Sequence, residues 1–135
     1  MNVFFYGLFM DASLLASKGI TPRSAVTGHV DDFELRIGDR ATLAHCPGSR
    51  VFGVMMDVAD DDVNRLYAED SVADYLPETV TVEVADGSLV EATCYNLPAD
   101  RVEGTNKEYA RALCGLAERL GLDDSYAAEI RRLAE

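Results

Sequence analysis

The chain has 135 residues, 48% of them hydrophobic, and a mean hydropathy of −0.04. These values predict one globular domain over residues 1–135 and exclude a disordered chain. Its 24 acidic and 12 basic residues leave a formal charge of −12, which argues against nucleic acid and anionic membrane as partners.

The first strand is expected over Asn2–Tyr6, an apolar β-prone run that breaks at Gly7. Leu8, Phe9 and Met10 follow, then Asp11 as a helix N-cap, then a short helix over Ala12–Lys18 that Gly19 stops. A strand that ends at glycine and turns into a capped segment is either a tight turn or a loop brought close to a ligand. Glycine lacks a Cβ and tolerates positive φ, and backbone N–H groups at such a turn can hold a carboxylate. Ala25–Val30 and Phe33–Ile37 read as strands around an Asp31-Asp32 turn. Thr42–Ala44 is a short apolar piece before the Pro47-Gly48-Ser49 turn, and Val51–Val58 is the strongest interior strand.

Asp60-Asp61-Asp62 opens a helix whose apolar residues fall at Val63, Leu66 and Tyr67. Thr79–Val84 alternates like a half-buried strand, Ala85–Ser88 makes a hairpin turn, and Leu89–Asn96 returns. After Pro98, Asn106–Leu120 carries Tyr109, Leu113, Leu116, Ala117 and Leu120 on one face, and Asp123–Ser125 caps a last helix over Tyr126–Leu133. Strands followed by segregated helices predict an α+β fold. No apolar run approaches the roughly 20 residues that cross a bilayer, and the N-terminus has no basic region of a signal peptide. Cys46, Cys94 and Cys114 have no CxxC spacing and read as reduced thiols of a cytoplasmic protein. His29 and His45 lie in unrelated segments, so no metal site is expected. His45 and Cys46 point to opposite faces of a strand, as an exposed imidazole and a buried thiol.

The candidate acids are Glu69 and Asp70, just after the middle helix. A carboxyl at the end of an apolar helix beside an aromatic loses solvent, which disfavours its charged form and suits a group that takes and returns a proton. The competing reading is a pair of surface acids among 24. No serine has a GxSxG setting and no glycine-rich phosphate loop is present.

The ordered segments FFYGLFM, DDFELRIGD, RATLAHCPGSRVFGVMMDV, VNRLYAEDSV, VTVEV, ATCYNLP and NKEYARALCGLAERLGL resemble the γ-glutamylcyclotransferase family, which includes the AIG2-like proteins. The resemblance implies a small, mixed, partly open β-barrel with flanking helices. It also implies a cofactor-independent cyclisation of a small-molecule γ-glutamyl amine or amide to 5-oxoproline, with release of the amine. The loop after the first strand, here Tyr6, Gly7, Leu8, Phe9 and Met10, would hold the polar end of the substrate. The family's YGSNL-like Ser-Asn pair is replaced here by apolar Leu8 and Phe9, which makes the cavity more apolar. Counting without gaps from Gly53 through Leu66 puts the family's catalytic glutamate on Asp70. Glu69 has the right length after a one-residue shift and is preferred on reach. Tyr109 matches a tyrosine that borders the cavity. The alternative is a non-catalytic small-ligand-binding module on the same fold.

Overall fold

The computed structural model describes residues 1–98 and 101–135. Of the segment 98–105, Ala99 and Asp100 lie outside the described residues. The strands are β1 (Asn2–Phe5), β2 (Ser24–Ile37), β3 (Ala41–Asp57), β4 (Leu76–Val84) and β5 (Leu89–Asn96). The helices are α1 (Ala12–Ser17), α2 (Asp60–Leu66), α3 (Lys107–Arg119) and α4 (Asp124–Leu133), with a 3₁₀ turn at Leu8–Met10.

The strands close into a barrel in the order β1-β3-β2-β4-β5. Every pairing is antiparallel except β1 with β5, so the sheet is mixed, as the sequence resemblance implied. The barrel is closed where a partly open one was expected, and the seam is thin. The registered β1–β5 pair is Val3 with Thr93, and β2 meets β4 only at Gly28–Val84 and His29–Glu83. Gly28 allows that second approach, because a Cβ there would come within 2.8 Å of the Glu83 carbonyl oxygen.

Residues 24–57 differ from the sequence expectation. The proposed turns at Asp31-Asp32 and Pro47-Gly48-Ser49 do not end strands. They face each other inside one long β2–β3 ribbon whose register shifts between Asp31 and Phe33. Asp32 takes φ 67° and Gly48 φ 84°, and the Gly48 N–H donates to the Asp32 carboxylate at 3.0 Å. An aspartate that tolerates the left-handed region and accepts locally can bridge a bulge as readily as it makes a turn. The reversal lies at residues 38–40, where the Asp39 N–H donates to the Glu103 carbonyl at 2.6 Å. The hairpin tip is therefore tied to the segment before α3.

The core fills the barrel and the space beneath α3 and α4. Val3, Phe4, Val51, Met56, Val63, Leu66 and Val82 are buried with Leu113, Ala117 and Ile130. Both late helices carry side-chain N-caps, from Asn106 to the Tyr109 N–H (2.9 Å) and from Asp123 to the Tyr126 N–H (3.0 Å). The three thiols are unpaired; Cys94 and Cys114 are buried, whereas Cys46 is half-buried rather than fully buried as expected. His45 is exposed and meets Glu78 at 2.8 Å. Among the described residues no helix is long and apolar enough to cross a membrane.

Candidate functional site

Strand β1 delivers Phe4, Phe5 and Tyr6 to the floor of a cavity of about 310 Å³. The chain then leaves the sheet through Gly7, Leu8 and Phe9, which form one wall. Gly7 has φ −109°, open to any residue, so its expected positive φ is absent and it is glycine for another reason. A Cβ at this position would lie 2.5 Å from the Tyr109 hydroxyl oxygen. That hydroxyl accepts the Leu8 N–H at 3.3 Å, so α3 braces the loop through one phenol. The Met10 N–H returns to the Gly7 carbonyl at 3.0 Å, and the N–H groups of Gly7 and Phe9 have no acceptor among the described residues. Asp11 caps α1 as expected, accepting the Ser13 N–H at 2.9 Å.

The opposite wall is the segment after α2. It contributes Tyr67, Glu69, Ser71, Val72 and Tyr75, faced by Tyr95 from β5 and by Asp39 and Arg40 from the β2–β3 tip. The two expected acids are separated by this arrangement. Glu69 lines the cavity, whereas Asp70 is exposed and is not part of the lining. A short turn after α2, with the Val72 N–H on the Glu69 carbonyl at 3.0 Å, sends the adjacent side chains in different directions. Tyr6, Gly7, Leu8, Phe9 and Tyr109 line the same space. Met10 does not, and its side chain is buried in the core.

Two ion pairs hold the rim. Lys18, the C-cap of α1, places Nζ 2.7 Å and 3.1 Å from the two carboxylate oxygens of Glu69. Arg40 holds Asp74 through two parallel bonds of 2.7 and 2.9 Å and donates to the Ser71 carbonyl at 3.1 Å. These bonds from Arg40 keep the Asp74 carboxyl below the usual range, and the same bonds push the Arg40 guanidinium further up. The sequence offered no sign of either pair, because their members lie 51 and 34 positions apart.

Between the rims lies a series of aromatic rings. Phe5 meets Phe9 edge-on at 6.2 Å, and Phe9 meets Tyr67 edge-on at 6.0 Å. Tyr67 stacks on Tyr95 at 3.8 Å and tilts against Tyr75 at 6.4 Å. Burial pushes the Tyr6, Tyr67, Tyr75 and Tyr109 phenols upward, so they remain neutral hydrogen-bonding groups near neutral pH. Tyr6 and Tyr75 spend their hydroxyls on the Tyr95 and Ala41 carbonyls, at 2.6 and 2.5 Å. The site thus combines two carboxylates, Glu69 and Asp39, one loop with N–H groups unpartnered among the described residues, and a largely apolar wall. Among the described residues no group of three or more His, Cys, Asp or Glu side chains is placed to hold a metal ion.

The family model for gamma-glutamyl cyclotransferase, AIG2-like, matches residues 3–113. A solved gamma-glutamyl cyclotransferase is similar with a TM-score of 0.79 at 20% identity, covering 97% of this chain and 86% of that one. The uncharacterized human protein loc79017 gives 0.78 at 21% identity over 96% and 85% of the two chains. A yeast gamma glutamyl cyclotransferase specific to glutathione gives 0.70 at 12% identity over 99% and 95%. At these identities the likeness is one of fold. No curated protein matches the chain by sequence.

Proposed function

This chain belongs to the AIG2-like gamma-glutamyl cyclotransferase family, and we propose on that premise that it cyclises a small γ-glutamyl amide to 5-oxoproline and releases the amine. The α-nitrogen of the glutamyl group attacks its own γ-carbonyl carbon. The new C–N bond closes the ring, the original amide C–N bond breaks, and two protons pass from the attacking to the departing nitrogen. No water is consumed. A single carboxylate that accepts a proton from one nitrogen and returns it to the other serves both halves of the reaction. Holding both ends of one molecule in the cavity supplies the near-attack geometry.

The observation that carries this reading is Glu69 on the wall facing the Tyr6–Phe9 loop, in one cavity. Glu69 is the proton shuttle in this proposal. The unpartnered N–H groups of Gly7 and Phe9 receive the substrate carboxylate or the developing oxyanion, as preorganised donors do elsewhere. Tyr109 keeps the loop in shape through the Leu8 N–H. The substrate α-amine approaches Glu69 beside Lys18, which stays paired with that carboxylate. Residues 1–135 act as one domain, since the barrel supplies Tyr6 and Tyr95 while α3 supplies Tyr109.

The test is release of 5-oxoproline from a panel of γ-glutamyl amides. Turnover that follows enzyme concentration supports the proposal. One observation favours a second reading, a binding module without chemistry: Lys18 already engages both oxygens of Glu69. Saturable binding of γ-glutamyl amides with no 5-oxoproline formed would select that reading.

A further inference from the structure

Resting on the reading of this cavity as a γ-glutamyl site, we infer that the departing amine carries no carboxylate and bears an aromatic or arylalkyl group. Two independent features of the lining lead to this.

The first is charge. Lys18 and Arg40 are the cations of the cavity wall, and each already holds a carboxylate, Glu69 at 2.7 Å and Asp74 at 2.7 Å. The loop N–H groups of Gly7 and Phe9 suffice for one carboxylate, the α-carboxylate of the glutamyl group. A γ-glutamyl amino acid brings a second carboxylate, and the lining offers it no uncommitted cation among the described residues. It would instead meet Asp39 on the wall. Burying an unpaired charge in such a lining is costly.

The second is shape and polarity. Phe9 stands edge-on to Phe5 on one side and to Tyr67 on the other, at 6.2 and 6.0 Å, and Tyr67 continues the series by stacking on Tyr95. Leu8, Leu14 and Val72 extend this apolar lining. Ring edges and faces in alternation favour another ring, which gains edge-to-face contact beyond its buried area. The volume of about 310 Å³ lies at the small end of ligand sites, which limits the departing group to a single ring system.

The test uses four conjugates of the γ-glutamyl group: with phenethylamine, phenylalanine, glycine and putrescine. The phenylalanine conjugate differs from the phenethylamine one only by a carboxylate, and the putrescine conjugate adds a free ammonium. The kcat/KM for 5-oxoproline release is expected to be at least ~10-fold higher for phenethylamine than for each of the other three, the scale on which an apolar pocket discriminates. Phe9→Ser is expected to remove most of that preference, read as the phenethylamine-to-glycine ratio of kcat/KM within the same variant, because the ring contact is lost. Phe9→Leu, which keeps the apolar volume, separates ring recognition from misfolding and should keep part of the preference. Equal or better use of the glycine, phenylalanine or putrescine conjugate overturns the inference. If no conjugate is turned over, cyclisation itself fails. Calorimetric affinities for the same four compounds then decide the inference separately: it stands if phenethylamine binds tightest and falls if it does not.

Discussion

Gly7 is held to glycine by a neighbour rather than by its dihedral angles, and this makes the loop sensitive to one added methyl. Gly7→Ala places a Cβ against the Tyr109 hydroxyl and is expected to cost ~1–3 kcal/mol, the range for overpacking. Denaturant unfolding reads this cost. Relief of it in Gly7→Ala combined with Tyr109→Phe would identify the hydroxyl as the obstacle. Tyr126 makes the opposite prediction. Its hydroxyl is buried in α4 with no partner among the described residues, so Tyr126→Phe should leave stability unchanged or raise it by up to ~1 kcal/mol. At this scale the sequence exposed the residues that sit in local patterns, such as the strand-breaking glycine and an acid after the middle helix. It preferred Glu69 to Asp70 on side-chain reach alone, because the turn that separates them is set by packing. Lys18 was unreadable as a partner of Glu69, since two residues 51 positions apart leave no periodic trace.

The β2–β3 hairpin and the segment after α2 are joined by Arg40 and Asp74, and this clamp fixes two walls of the cavity. Asp74 has a lowered pKa through its bonds to Arg40. A depressed folded-state value means that the stabilising contribution is fully present above the ordinary aspartate value of ~3.9 and is lost as pH falls through the lower folded value. Asp74→Asn should therefore flatten the acid limb of a stability-against-pH curve, measured by thermal unfolding between neutral and strongly acidic pH. An unchanged limb would show that Asp74 carries no such linkage. Gly53 in β3 serves a closer approach. A Cβ there collides with the Phe5 carbonyl oxygen and the Phe4 ring, so Gly53→Ala should displace β1 and the loop that follows it. Several helix boundaries were legible from caps and stops, as Asp11, Gly19 and Asp123 illustrate. The β2–β3 ribbon was not, because Asp32 and Gly48 have the chemistry of turns and only their facing positions make them a bulge.

Over the whole molecule, a formal charge of −12 on 135 residues produces self-repulsion that the ion pairs offset only in part. The midpoint of thermal unfolding should rise as salt is added up to a few tenths molar, where the screening length falls below ~10 Å. A midpoint that falls over this range would mean that the ion pairs at the cavity rim outweigh the general repulsion. The α+β class followed from the order of apolar runs, and the mixed barrel from the family resemblance alone. Barrel closure did not, since it rests on a short seam between β1 and β5 that depends on the curvature of the whole sheet. The central claim joins these scales: a barrel end, a loop and one carboxylate carry out a cyclisation. It is tested most directly by the rate of 5-oxoproline release in Glu69→Gln and Asp70→Asn, each compared with the unaltered chain on the best amide found. The account predicts a loss of ~10²-fold or more for Glu69→Gln, the scale of a lost acid–base group, and a change within ~3-fold for the exposed Asp70→Asn. Undiminished release by Glu69→Gln would contradict it.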